Sequence, residues 1–145
     1  MLRLRECSGM TPDTVLRARL RLRDDGSMDE PFFTRPGEGE RIGPRGYRVL
    51  AELPHIEALD LSFGPDFEGV DPHTHADHTD SFYVLEGEFE FLQDGDWHRA
   101  GPGTFLSVPP NVEHGFRACG VAVRILNFHT PNAGFIGRLR GANPA

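Results

Sequence analysis

The chemistry of this chain is concentrated between Asp71 and Phe91, in the stretch DPHTHADHTDSFYVLEGEFEF. His73 and His75 stand two residues apart, Asp80 follows five residues after His75, and Gly87 seven after Asp80. A second piece, GTFLSVPPNVEH from Gly103 to His114, adds another imidazole. Three imidazoles and a carboxylate form a donor set for one divalent metal ion, which could be Fe, Mn, Ni, Cu or Zn. His78, in the same turn as Asp80, competes with it for the fourth position.

Strands must bring these donors together. Residues i and i+2 of a β-strand project to one face, so His73 and His75 on one strand would aim both rings at one point. Asp80 opens an apolar strand, Ser81 to Glu86. Gly87 breaks it, and Glu88 to Gln93 is expected as its hairpin partner. His114 follows the turn Pro109-Pro110-Asn111 and begins a short strand with Phe116 on the same face. Donors that converge from separate strands call for a closed antiparallel barrel.

Parity extends the site. On the strand expected from Val121 to His129, Arg124 must face water, so the odd residues face inward. That face carries Val121, Val123, Ile125, Asn127 and His129. Asp80 and His129 are the candidate catalytic bases. The expected pocket wall is Phe82, Val84, Phe89, Phe91, Phe116, Val123 and Ile125, with Asn127 within reach, while Tyr83 faces away. Such a wall around a metal suits a small, largely apolar ligand with one or two oxygen donors.

The remaining chain reads as strands at Arg48 to Glu52, Ile56 to Phe63, Trp97 to Ala100 and Phe105 to Val108. Loops are expected over 34–46 and 63–72. Phe135, Ile136 and Leu139 fall at helical spacing within a short C-terminal helix, Asn132 to Arg140. His55 and His98 border turns and are expected to be solvated. Residues 1–30 are expected to be an N-terminal extension, either an extra strand at Val15 to Arg23 or poorly ordered, and residues 31–145 the domain proper.

Composition narrows the functional classes. Eleven Phe, twelve Pro and seventeen Gly in 145 residues favour short strands and many turns over long helices. A net charge of −7 argues against general nucleic-acid binding. No run approaches the length of a membrane span, and the first residues lack the apolar core of a signal peptide, so a cytoplasmic location is expected. Cys7 and Cys119 form no disulfide pattern and are expected as free thiols.

At these motifs the chain resembles the cupin superfamily. Its first motif reads G-x5-H-x-H-x3–4-E-x6-G, and His73, His75, Asp80 and Gly87 fit it. Asp80 replaces the usual Glu, and the leading Gly is displaced to Gly69. Its second motif reads G-x5-P-x-G-x2-H-x3-N; Gly103, Pro109 and His114 match, with Asn111 in place of Gly and Ala118 in place of Asn. The resemblance covers about residues 32 to 140. It implies an all-β double-stranded β-helix, the jelly-roll barrel, with the short helix appended.

The same resemblance implies a metal site at His73, His75, Asp80 and His114 and a homodimer formed through the sheets. Among cupins the sequence is most similar to small single-domain bacterial proteins grouped with quercetin dioxygenases. A metal-dependent oxidoreductase of dioxygenase type, acting on a small organic substrate, is the leading expectation. A non-catalytic small-molecule-binding protein, a metal-dependent isomerase or decarboxylase, and a purely structural metal are the alternatives.

Overall fold

Strand-forming residues alternate along most of the chain, and the computed structural model, which describes residues 31–141, turns them into ten strands and one helix. The strands are β1 (Arg41–Ile42), β2 (Tyr47–Leu53), β3 (Ile56–Phe63), β4 (Gly69–His73), β5 (Thr79–Glu86), β6 (Phe89–Gln93), β7 (Asp96–Ala100), β8 (Phe105–Val108), β9 (His114–Ala118) and β10 (Val123–Thr130). The helix α1 spans Phe135–Gly141. The N-terminal extension and its expected strand lie outside the described residues.

The strands form two antiparallel sheets. One has six strands in the order β1-β2-β3-β10-β5-β8, the other four in the order β4-β9-β6-β7. This is the double-stranded β-helix the resemblance implied. Side chains of one parity from both sheets make a shared core: Leu59 and Leu61 of β3, Phe82 and Val84 of β5, Phe89 and Phe91 of β6, and Val123 and Ile125 of β10. Burying each such side chain contributes about 1.5–3 kcal/mol relative to leaving it in water.

Two expectations about chain path require correction. Glu88 to Gln93 is not the hairpin partner of the strand before Gly87. β5 pairs with β10 and β8, whereas β6 pairs with β7 and β9. Gly87 marks the point where the chain leaves one sheet for the other. It has φ +73°, and a Cβ there would overlap the carbonyl oxygen of Ala122, so only glycine makes this crossing without strain.

The second correction concerns the ends of elements. The last long strand starts at Val123, and Val121 before it is exposed. The helix starts at Phe135 rather than Asn132, because Asn132 is used as a turn residue: its Oδ1 accepts from the Gly134 N–H at 2.8 Å. The expected loop over 34–46 contains the short strand β1, whose Ile42 is buried in the core. Asp60, on the opposite parity of β3 from Leu59 and Leu61, is held by Arg48 and Arg124 on the two neighbouring strands, each at 2.8 Å.

Candidate metal centre

Only His73 of the first two histidines lies on a strand. It is the last residue of β4, while His75 belongs to the loop that follows. Convergence therefore does not come from i, i+2 parity on one strand, as expected, but from a strand end, a loop and a neighbouring strand. His73 is the register partner of His114 at the start of β9. The loop carrying His75 is tied down from the other side, where the Asn111 N–H donates to the His75 carbonyl at 2.6 Å.

Asn111 explains one departure from the family motif. Its φ is +63°, the left-handed region that glycine adopts most readily and asparagine tolerates next best. The displaced Gly69 is similarly constrained, since its φ is +115° and a Cβ would overlap the Phe116 carbonyl. Ala118, where the motif has Asn, lines the cavity.

The structure brings His73, His75 and His114 together, with one nitrogen of each within 4.8 Å of the others. Their orientation suits a cation. The Nδ1–H of His73 donates to the Asp71 carbonyl at 2.7 Å and that of His114 to the Val112 carbonyl at 3.0 Å, which leaves each Nε2 as a lone-pair donor. Nε2 of His114 is buried without any hydrogen-bond partner, a costly state for a polar atom that a metal ion would relieve.

Asp80 stands beside this group without being one of its members. Its Oδ1 accepts from Asn127 Nδ2 at 2.7 Å and lies 3.3 Å from His129 Nε2. Its Oδ2 turns the other way, 3.7 Å from His75 Nε2 and 3.5 Å from His114 Nε2. Four donors arranged tetrahedrally at about 2.1 Å from an ion would be separated by about 3.4 Å, close to these spacings. The methylene lost in replacing Glu by Asp therefore does not put the carboxylate out of reach. On this geometry the residues present fit a divalent ion.

The electrostatics agree. Burial pushes the Asp80 carboxyl up, but the neighbouring His114 and His129 imidazoles and the hydrogen bond from Asn127 outweigh it and hold the pKa at about 2. Burial and the neighbouring His78 bring His75 down to about 4, so its ring is neutral, the ligating form, at physiological pH. His129 is raised despite burial, because Asp80 and Glu57 flank its two nitrogens.

His78 lines the same cavity and is buried, and like Asp80 it falls outside the three-histidine group. Its Nδ1 is engaged by the Asp77 carboxylate at 2.7 Å, and its Nε2 is buried without a partner. His55 and His98 are exposed, as expected.

A cavity of about 270 Å³ opens from this polar end. Of the expected wall, Phe82, Phe89, Phe116, Val123, Ile125 and Asn127 line it. Val84 and Phe91 do not. Both are buried in the core, where Phe91 packs against Phe116 with ring centroids 5.7 Å apart. Parity assigned them to the correct face but could not say how deep the cavity reaches. Unanticipated wall residues come from elsewhere in the chain: Tyr47, Leu61, Phe63, Phe67, and Phe135, Arg138 and Leu139 of α1.

Glu57 was also not anticipated. It is fully buried on β3 and faces His129. The signal was available, since Glu57, Leu59, Leu61 and Phe63 share one parity, which puts a carboxylate on an apolar face.

Comparison with known proteins agrees with this architecture. The cupin domain family (Cupin_2) matches residues 61–129. The quercetin 2,3-dioxygenase of Bacillus subtilis (strain 168) is 34% identical over 98 residues, which are 64% of this chain. The chain spans only 28% of the length of that relative. Among solved structures, KdgF from Halomonas sp. superposes with a TM-score of 0.60 at 24% identity, covering 70% of this chain and 94% of that one. An RmlC-like cupin from Shewanella frigidimarina NCIMB 400 gives 0.59 at 25% identity, covering 72% and 94%. Motif spacing, strand order and relatives converge on one answer: this chain belongs to the cupin superfamily.

Proposed function

We propose that this cupin is a metal-dependent oxidoreductase of dioxygenase type that acts on a small, largely apolar organic compound. The observation that carries the reading is the juxtaposition of three imidazoles and one carboxylate oxygen at the polar end of an apolar, aromatic-lined cavity of about 270 Å³. The similarity to a quercetin dioxygenase, of whose length this chain spans 28%, supports it.

In this reading His73, His75, His114 and Asp80 hold one divalent ion. When bound, such an ion supplies Lewis acidity toward a carbonyl or enolate oxygen and, if redox-active, a means of engaging O₂. The protein contributes position and exclusion of water. Phe82, Phe89 and Phe116 enclose the body of the substrate, and Asn127 fixes the carboxylate it would meet.

The two candidate bases take different roles. With carboxylates at both nitrogens, His129 holds a proton rather than taking one up, so it serves as donor. Asp80 has no oxygen free for a proton, since Asn127 and His129 take Oδ1 and Oδ2 would hold the ion, so its role is that of a ligand.

The alternative of a binding protein without turnover is favoured by one feature: α1 covers part of the cavity with Phe135 and Leu139, as a carrier site would require. A homodimer is supported by Tyr83 and Phe105, exposed register partners on β5 and the edge strand β8. Among the described residues no helix is long and apolar enough to cross a membrane.

The test is metal analysis of untagged protein, followed by oxygen uptake against a panel of flavonols and β-diketones. Bound iron, copper, nickel or manganese with substrate-dependent oxygen consumption supports the proposal. Zinc without oxygen uptake points to isomerase, decarboxylase or structural chemistry. Tight ligand binding without consumption of either reactant makes it a binding protein.

A further inference from the structure

Three central strands of the six-stranded sheet carry a row of polar side chains across its buried face. In the ladder Glu57 of β3 is the register partner of His129 of β10, and His129 is the register partner of Asp80 of β5. Glu57 Oε2 lies 3.2 Å from His129 Nδ1, and His129 Nε2 lies 3.3 Å from Asp80 Oδ1. All three residues are buried, and Glu57 is 0% exposed.

A buried carboxylate is costly unless its oxygens are satisfied. Glu57 meets that condition with backbone donors from the segment entering α1. Its Oε2 accepts from Ala133 N–H at 3.1 Å and Phe135 N–H at 3.2 Å, and its Oε1 from Ile136 N–H at 2.9 Å. The side chain cannot swing away without breaking these bonds. It is a fixed anion, and the ring beside it is therefore a fixed ring.

We propose that Glu57 is a positioning residue of the metal centre: it clamps His129, which with Asn127 occupies Asp80 Oδ1 and leaves Oδ2 alone to face the ion. The inference rests on the metal-centre reading above and adds a residue to it that lies beyond contact with any of the four donors. The carboxylate is aimed at the centre by a chain of hydrogen bonds that begins at the first turn of α1.

The experiment compares wild type, Glu57→Gln, Glu57→Ala and Ile136→Ala, each loaded with Co(II), with His75→Ala as the control for the centre. Co(II) affinity and the visible d–d spectrum are read together. The ring ¹⁵N resonances of His129 are followed in the metal-free proteins, and far-UV circular dichroism confirms folding. Glu57→Gln can keep its oxygen at the Oε2 place toward His129, Ala133 and Phe135 and loses only the bond to the Ile136 N–H, so it retains the wild-type spectrum. Glu57→Ala is expected to weaken Co(II) about tenfold, to alter the spectrum and to shift the His129 signals. Ile136→Ala loosens the helix without removing the carboxylate and keeps the wild-type spectrum.

Wild-type affinity and spectrum in Glu57→Ala overturn the proposal. So does an equal spectral change in Ile136→Ala, because the helix rather than the carboxylate would then be responsible. If Glu57→Ala does not fold, the His129 resonances of metal-free Glu57→Gln decide: a shift on loss of the charge beside Nδ1 supports the clamp, and unchanged signals overturn it. Full Co(II) uptake by His75→Ala sinks the metal-centre reading instead, and the His129 resonances still decide whether Glu57 holds that ring.

Discussion

His73 and His114 face each other across the β4–β9 ladder as register partners, with ring centroids 4.3 Å apart. Each is held in the same way, by a carbonyl two residues earlier in its own chain segment. His75 has no such ladder partner and reaches the centre from a loop. Its removal takes away one of the three imidazoles that meet at the centre. His75→Ala is expected to abolish stoichiometric metal uptake, measured by elemental analysis after equilibrium dialysis.

The fourth donor can be assigned by comparison of two variants. Asp80 Oδ2 lies 3.5 Å from His114 Nε2, whereas His78 is tethered to Asp77. Asp80→Ala is therefore expected to weaken metal binding by at least about tenfold, and His78→Ala by much less. Competition titration against a chromophoric chelator gives both constants, and the reverse order would make His78 the ligand.

How much of this was legible beforehand differs between levels. The donors could be found because motif spacing survives in the linear sequence, and Phe82, Phe116 and Ile125 could be given a face because strand parity is local. What parity cannot supply is the partner of a strand. Glu88 to Gln93 alternates as a hairpin partner would, yet it pairs not with the strand before Gly87 but with β7 and, more than twenty residues downstream, β9. Val84 and Phe91 share parity with cavity residues but are packed in the core instead of lining the cavity. Glu57 escaped notice because its partners, His129 and the backbone N–H groups near α1, are over seventy residues away.

Acid should unfold the protein by a definable route. Hydrogen bonds from Arg124 and Arg48 hold Asp60 below its ordinary 3.8, against burial. Glu57 lies below its ordinary 4.5, because hydrogen bonds from Ile136, Ala133, His129 and Phe135 outweigh burial. Both groups are depressed in the folded state, so the stability they contribute is complete above those ordinary values. It is lost as pH falls and the unfolded chain takes up protons first. The melting temperature is expected to fall below about pH 4.5. Asp60→Asn should cost about 2 kcal/mol at pH 7 and give a shallower acid limb in thermal scans from pH 7 to 3.

The crossing at Gly87 is a second point of vulnerability. Gly87→Ala forces a side chain into the left-handed region and against the Ala122 carbonyl. The left-handed conformation alone costs about 1–2 kcal/mol, and the overlap adds to it. Urea denaturation should show a lower midpoint, with Gly95→Ala as a milder comparison, since nothing stands near a Cβ at that turn. Equal losses in the two variants would count against a tight crossing.

The placement of β10 between β3 and β5 has a consequence for biosynthesis. A nascent polypeptide exposes His73, His75 and Asp80 well before Asn127 and His129 have left the ribosome. Until the late strand slots into the middle of its sheet, β3 and β5 have no common neighbour and Asp80 has nothing to direct its oxygens. Any ion captured by the early histidines would be held loosely and exchanged freely. On the proposed metal reading, a centre with a directed carboxylate forms only once β10 has paired with β5.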